Sequence, residues 1–146
     1  PISPYAVSKL ACERYTVSFH AIYGLPTVAL RYFNVYGPKQ DPLSQYAAVI
    51  PRFITAIKKG EAPIVYGDGE QSRDFTFIEN VVQANLLACT APDAPGQFMN
   101  IACGDRYSLN TLLQLMAEIM GKEVRQIYDA ERSGDVKHSL ASIARA

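Results

Sequence analysis

The chain has 146 residues, 49% of them hydrophobic, with 14 basic and 14 acidic side chains. That length suits one compact domain burying roughly two-thirds of the surface its unfolded chain exposes. Zero net charge gives no reason to expect DNA, RNA or an acidic membrane as partner, no apolar run nears the ~20 residues of a membrane span, and no charged-then-apolar leader is present.

In chain order, Ser3 and Pro4 suit the cap and first turn of a helix that runs to Tyr23, where Gly24 ends it and Pro26 prevents its return. "TVALRYF" reads as a short strand, followed by a loop rich in Asn, Gly, Pro and Asp from Asn34 to Ser44. "AAVIPRFITAIKK" has helical spacing with a firm start near Pro51. "APIVYGDGEQSRDF" reads as strand, Asp-Gly turn, strand, a hairpin. Then come a helix ("ENVVQANLLACTA"), a strand ("GQFMNIA"), a helix from Ser108 to Gly121, a strand ("VRQIYD") and a short closing helix in "LASIARA". This alternation of helices and strands predicts a mixed α/β fold. Cys12, Cys89 and Cys103 form no C-x-x-C pair and sit in apolar-leaning stretches. They read as reduced, mostly buried thiols in a cytoplasmic protein, with no metal site. His20 and His138 have no ligand-spaced partners and are assigned no metal.

Tyr5 and Lys9 stand four apart on the first helix, so both side chains lie on one face. A free phenol, with a pKa of about 10, is too weakly acidic to serve as a base at neutral pH. A nearby ammonium favours the phenolate, and a drop of two to three units asks ~3–4 kcal/mol of the surroundings. A lysine together with a second cation in a dry cleft could supply that. On spacing alone the same two residues are more often an ordinary surface pair.

Further stretches follow in order: "SPYAVSK", "LRYFNVYGP", "VYGDGEQSRDFTFIENV", "FMNIACG" and "RSGDVKHS". Together they resemble the extended short-chain dehydrogenase/reductase family, and within it the NAD-dependent sugar-nucleotide 4-epimerases. The resemblance implies that Tyr5 exchanges a proton with the sugar C4 hydroxyl while NAD carries the hydride, and that Lys9 binds the nicotinamide ribose and tunes the phenol. It places the Tyr32 backbone against the nicotinamide and the Asn34 side chain against the substrate. Arg73 and Arg132 become the pair that grips the diphosphate, and Asp135 the acid that binds the nucleotide ribose. Val49, Ile64 and Tyr66 become walls around the uracil and its ribose. Without the resemblance Asn34 is a turn former, the arginines are solvated charges and the apolar positions are packing residues. Asn100 reads as structural.

Ser139 stands where epimerases restricted to glucose and galactose carry a tyrosine that crowds the sugar C2 side. The serine leaves room for an N-acetyl group, so the resemblance implies a UDP-sugar 4-epimerase that accepts N-acetylated sugars, acting on UDP-GlcNAc/UDP-GalNAc or on UDP-Glc/UDP-Gal. A 4,6-dehydratase, a decarboxylase or a non-catalytic nucleotide-sugar-binding module are the alternatives. The family also opens with a Rossmann half, whose glycine-rich turn holds the dinucleotide pyrophosphate. "GDGEQS" is no such turn, so the chain reads as a C-terminal portion. Residues 1–35 read as a remnant of the NAD-binding domain, and 36–146 as a mixed α/β nucleotide-sugar-binding lobe. The isolated chain is then expected to be inactive. The full-length protein is expected to be a homodimer, and Leu10, Val17, Phe19 and Ile22 on the first helix to be exposed.

Overall fold

A computed structural model describes residues 3–41, 43, 49–131 and 136–146. Helix α1 spans Pro4–Tyr23; the Ser3 side chain accepts a hydrogen bond from the Ala6 amide at its head, and Gly24, at φ +68°, donates to the His20 carbonyl at its tail. Strands β1 (Ala29–Tyr32) and β2 (Val35–Tyr36) lead to α2 (Val49–Lys59). After these come β3 (Ile64–Tyr66), β4 (Ser72–Arg73), β5 (Thr76–Phe77) and α3 (Ile78–Thr90). The chain continues through β6 (Phe98–Ile101), β7 (Tyr107–Ser108), α4 (Leu109–Met120) and β8 (Ile127–Asp129). The α/β class expected from the sequence is the class observed.

Among the described residues the strands form four two-stranded sheets. Strand β1 pairs parallel with β6, β2 with β5 and β3 with β8, while β4 and β7 run antiparallel. Ser72 also bridges in parallel to His138, which brings the 137–139 segment alongside β4. The hairpin expected at 62–75 does not form. Its turn is real: Asp68 accepts from the Glu70 amide, and Gly67 and Gly69 have φ of +75° and +77°. The strands on either side nonetheless pair with β8 and β7 rather than with each other.

One face of α2 packs on α4 across β3, because Ile50, Phe53 and Ile57 recur at helical spacing and meet Leu113 and Met116. Val65 completes this core at 0% exposure. Strand alternation then turns Ile64 and Tyr66 to the opposite side. Helix α2 begins at Val49 rather than at Pro51, which a proline within the first turn permits. Residues 140–146, all described, contain no helix. Instead the Asn100 side chain donates to the Ser142 carbonyl, and the Arg145 guanidinium lies 4.8 Å from the Phe98 ring. These long-range contacts hold the segment out of a local helix. The three cysteines are exposed, correcting the expectation of burial. No described helix is long and apolar enough to cross a membrane.

Candidate functional site

On α1, the Lys9 Nζ sits 5.6 Å from the centre of the Tyr5 ring. The two side chains thus share one flank of the helix, as their four-residue spacing requires. Both are exposed, Tyr5 by 70%. A phenol with an ammonium beside it has the parts of a proton-transfer unit.

Two contacts fix where that unit lies. The Thr27 hydroxyl donates to the Thr16 carbonyl, and the Arg31 guanidinium grips the Glu13 carboxylate with two prongs, so β1 runs back along α1. Tyr5 precedes Glu13 by eight residues, ~12 Å along the helix axis. The same ~12 Å beyond Arg31 is about three to four strand residues, which brings Tyr5 about level with Asn34 and Val35.

From Asn34 a chain of hydrogen bonds leads to the other positions. Asn34 is half-buried at φ +30°, and its side chain donates to the Asp74 carbonyl at 2.9 Å. Asp74 itself is 0% exposed, and its two carboxylate oxygens accept from the Cys103 and Gly104 amides at 2.9 and 3.0 Å. Next to it, Arg73 donates from Nη1 to the carbonyls of Ser72 and Lys137. The Ser72 hydroxyl meets His138 Nδ1 at 2.9 Å, and the Ser139 amide donates to the Ser72 carbonyl at 3.0 Å. Half-buried Ser139 therefore lies alongside β4, next to Arg73.

On β3, Ile64 is exposed and Tyr66 half-buried, with the Arg52 guanidinium 5.8 Å from the Tyr66 ring. The Gln71 side chain donates to the Tyr66 carbonyl and ties this strand to β4. Val49 is half-buried against the α2–α4 core. The Tyr32 hydroxyl donates to Asn85 Oδ1 at 3.0 Å, securing β1 to α3. Arg132 and Asp135 lie outside the described residues.

Sequence reasoning missed three of these features. Asp74 has no periodic signal, only an acid inside "SRDFTF". Glu13 is the next residue of the Tyr5–Lys9 series at four-residue spacing, and that spacing was a usable clue. Phe98, with the guanidinium groups of Arg14, Arg31 and Arg145 at 4.6–5.1 Å, joins residues far apart in the chain.

Residues 1–102 match the model of the NAD dependent epimerase/dehydratase family. The chain belongs to this family. Among solved members, the UDP-N-acetylglucosamine 4-epimerase of Methanobrevibacter ruminantium M1, in complex with UDP-N-acetylmuramic acid, is 49% identical with a TM-score of 0.94; 99% of this chain and 46% of that one are covered. A UDP-glucuronic acid 4-epimerase from Bacillus cereus, in complex with UDP-glucuronic acid and NAD, is 31% identical with a TM-score of 0.88, covering 99% and 45%. A putative UDP-glucose 4-epimerase of Methanocaldococcus jannaschii is 38% identical over 146 residues, which are 100% of this chain and 47% of that protein. The chain thus spans about half the length of the epimerase/dehydratase relatives it matches.

Proposed function

We propose that this chain supplies the acid–base phenol and the nucleotide-sugar wall of an NAD-dependent UDP-sugar 4-epimerase. The observation that carries the reading is the Tyr5–Lys9 pair on one exposed flank of α1, about level with Asn34. A phenol and an ammonium side by side suit the hydroxyls of a nicotinamide ribose, so the donor set fits one end of the dinucleotide. No glycine-rich strand–turn–helix among the described residues suits the pyrophosphate end. Bound NAD supplies acceptance and return of a hydride at the sugar C4.

Tyr5 holds the proton that leaves and rejoins the C4 oxygen, and Lys9 supplies the positive charge that keeps this proton mobile. The sugar must turn over between the two transfers while the nucleotide stays fixed. Strong contacts therefore belong on the diphosphate and base, and few on the sugar. Arg73 and Arg132 hold the diphosphate, since a guanidinium pairs with phosphate oxygens two at a time. Asp135 takes the ribose hydroxyls, while Val49, Ile64 and Tyr66 flank the uracil. Asn34, held in place by Asp74, meets the sugar, and the Tyr32 backbone borders the nicotinamide. Residues 1–35 act with a dinucleotide-binding half, and residues 36–146 form the nucleotide-sugar lobe of a homodimeric enzyme.

Ser139 favours N-acetylated sugars, and the relative at 49% identity is a UDP-N-acetylglucosamine 4-epimerase. Calorimetry of the purified chain with UDP, UDP-GlcNAc and NAD tests the division of labour. The reading predicts similar affinity for UDP and UDP-GlcNAc, and no tight binding of NAD. One NAD per purified polypeptide would contradict it. Joined behind the remaining half of the Methanobrevibacter enzyme, the chain should epimerise UDP-GlcNAc in preference to UDP-glucose. Replacing Ser139 with Tyr should reverse that preference.

A further inference from the structure

Of the twenty residues in α1, Glu13 alone is buried, at 8% exposure. Within this chain, the apolar residues Leu10, Phe19 and Ile22 of the helix are exposed and Val17 is half-buried. What enters the interior is a carboxylate. Arg31 holds both its oxygens, one through Nε and the other through Nη2 at 2.8 Å, and Arg14 adds a bond at 2.6 Å. Arg31 is fixed in turn. Its guanidinium lies 4.6 Å from the Phe98 ring, and its Nη1 reaches Asn100 Oδ1 at 3.5 Å. Asn100 is tied onward to Ser142. A two-pronged guanidinium–carboxylate pair constrains direction as well as distance, which a single-point contact does not.

We infer that Glu13 is the positioning residue for Tyr5 and Lys9: clamped by Arg31, it sets the rotation of α1 and so the direction in which the pair faces. Tyr5, Lys9 and Glu13 follow one another at four-residue spacing, so a rotation that moves Glu13 carries the other two with it. At a side-chain radius of ~6 Å, a 30° turn of the helix moves a side-chain tip by ~3 Å. A misplacement of about 1 Å can cost roughly a hundredfold in rate, so this freedom matters to any reaction at Tyr5. Arg31 adjoins Tyr32 and leads to Asn34, so one ion pair references the phenol to the wall opposite it. The inference rests on the proposed role of Tyr5 for its functional meaning; the helix-setting itself is measurable without turnover.

Residual dipolar couplings along α1 have a periodic phase that reads the rotation of the helix against the rest of the chain. In Glu13→Gln and Arg31→Lys, the phase should shift by about 20° or more, ~2 Å at the side-chain radius. The shift should appear while the couplings of α2 and α4 stay as in the unaltered chain. Calorimetric binding of UDP is followed in parallel and should be unchanged by either substitution. A phase unaltered in both folded variants overturns the inference. If one variant fails to fold, the other decides. Failure of both to fold also overturns it, since the pair would then hold the lobe together rather than set a helix. Loss of UDP binding in the unaltered chain would instead count against the proposed function and leave the helix-setting result intact.

Discussion

Replacing Asp74 with alanine tests whether one buried acid organises the wall of the site. Asp74 is fully buried and accepts hydrogen bonds from the Cys103 and Gly104 amides, while its own carbonyl anchors Asn34. Hydrogen bonds to a charged group contribute about 1.5–3 kcal/mol each, so losing two costs about 3–6 kcal/mol. Cys103 and Gly104 are themselves exposed, so water can reach their released amides. The expected loss therefore lies at the lower end, about 3 kcal/mol. With a urea slope of about 2 kcal/mol per molar, the unfolding midpoint followed by circular dichroism should fall by about 1.5 M. Asp74→Asn keeps one acceptor and should cost about half as much. A midpoint lowered by less than about 0.5 M at unchanged slope would refute this account of Asp74. Because Arg73 adjoins Asp74 and Asn34 hangs from it, UDP binding should weaken in parallel with stability.

The clamp on α1 has a pH signature. The Arg31 hydrogen bonds hold the Glu13 carboxyl below its ordinary value of 4.5, against burial, which raises it, and with further help from Arg14. A carboxyl lowered on folding contributes its full stability above its unfolded value and loses it as pH falls through the folded one. The stability difference between the unaltered chain and Glu13→Gln should thus be constant from pH 8 to about 6 and shrink below about 4.5, measured by urea titration at each pH. A difference independent of pH down to 3 would contradict the pairing. In the core, Phe53→Ala, at 2% exposure, should cost about 3–5 kcal/mol, whereas Ile119→Ala, at 84% exposure, should stay within about 0.5 kcal/mol. Equal losses in the same urea assay would place the core elsewhere than between α2 and α4.

Local signals in the sequence carried far. Ser3 and Gly24 bracket α1 because a serine cap and a left-handed glycine act within a turn of the residues they terminate. The Tyr5–Lys9 face follows from helical spacing alone. Pairing across the chain was not legible in the same way. The Asp68–Gly69 turn forms as written, yet β3 is joined by residues 127–129 and β4 by residues 107–108, partners with no local mark. "LASIARA" has helical spacing, but Asn100 and Phe98 hold Ser142 and Arg145 by contacts that arise only in the folded chain. Cys12 and Cys89 fail for a related reason: an apolar neighbourhood in sequence does not say which side of a helix is covered. Asp74 and Glu13 were overlooked because a buried acid looks like any other acid until its partners are in place.

Tyr5 carries the proposed proton transfer. In the chain joined to a dinucleotide-binding half, Tyr5→Phe should lower turnover of UDP-GlcNAc by about 100-fold or more, the worth of a positioned proton-transfer group. Its UDP affinity, measured by calorimetry, should match that of the unaltered form. Turnover retained within a few-fold, or UDP binding lost together with turnover, would contradict the assignment of this phenol.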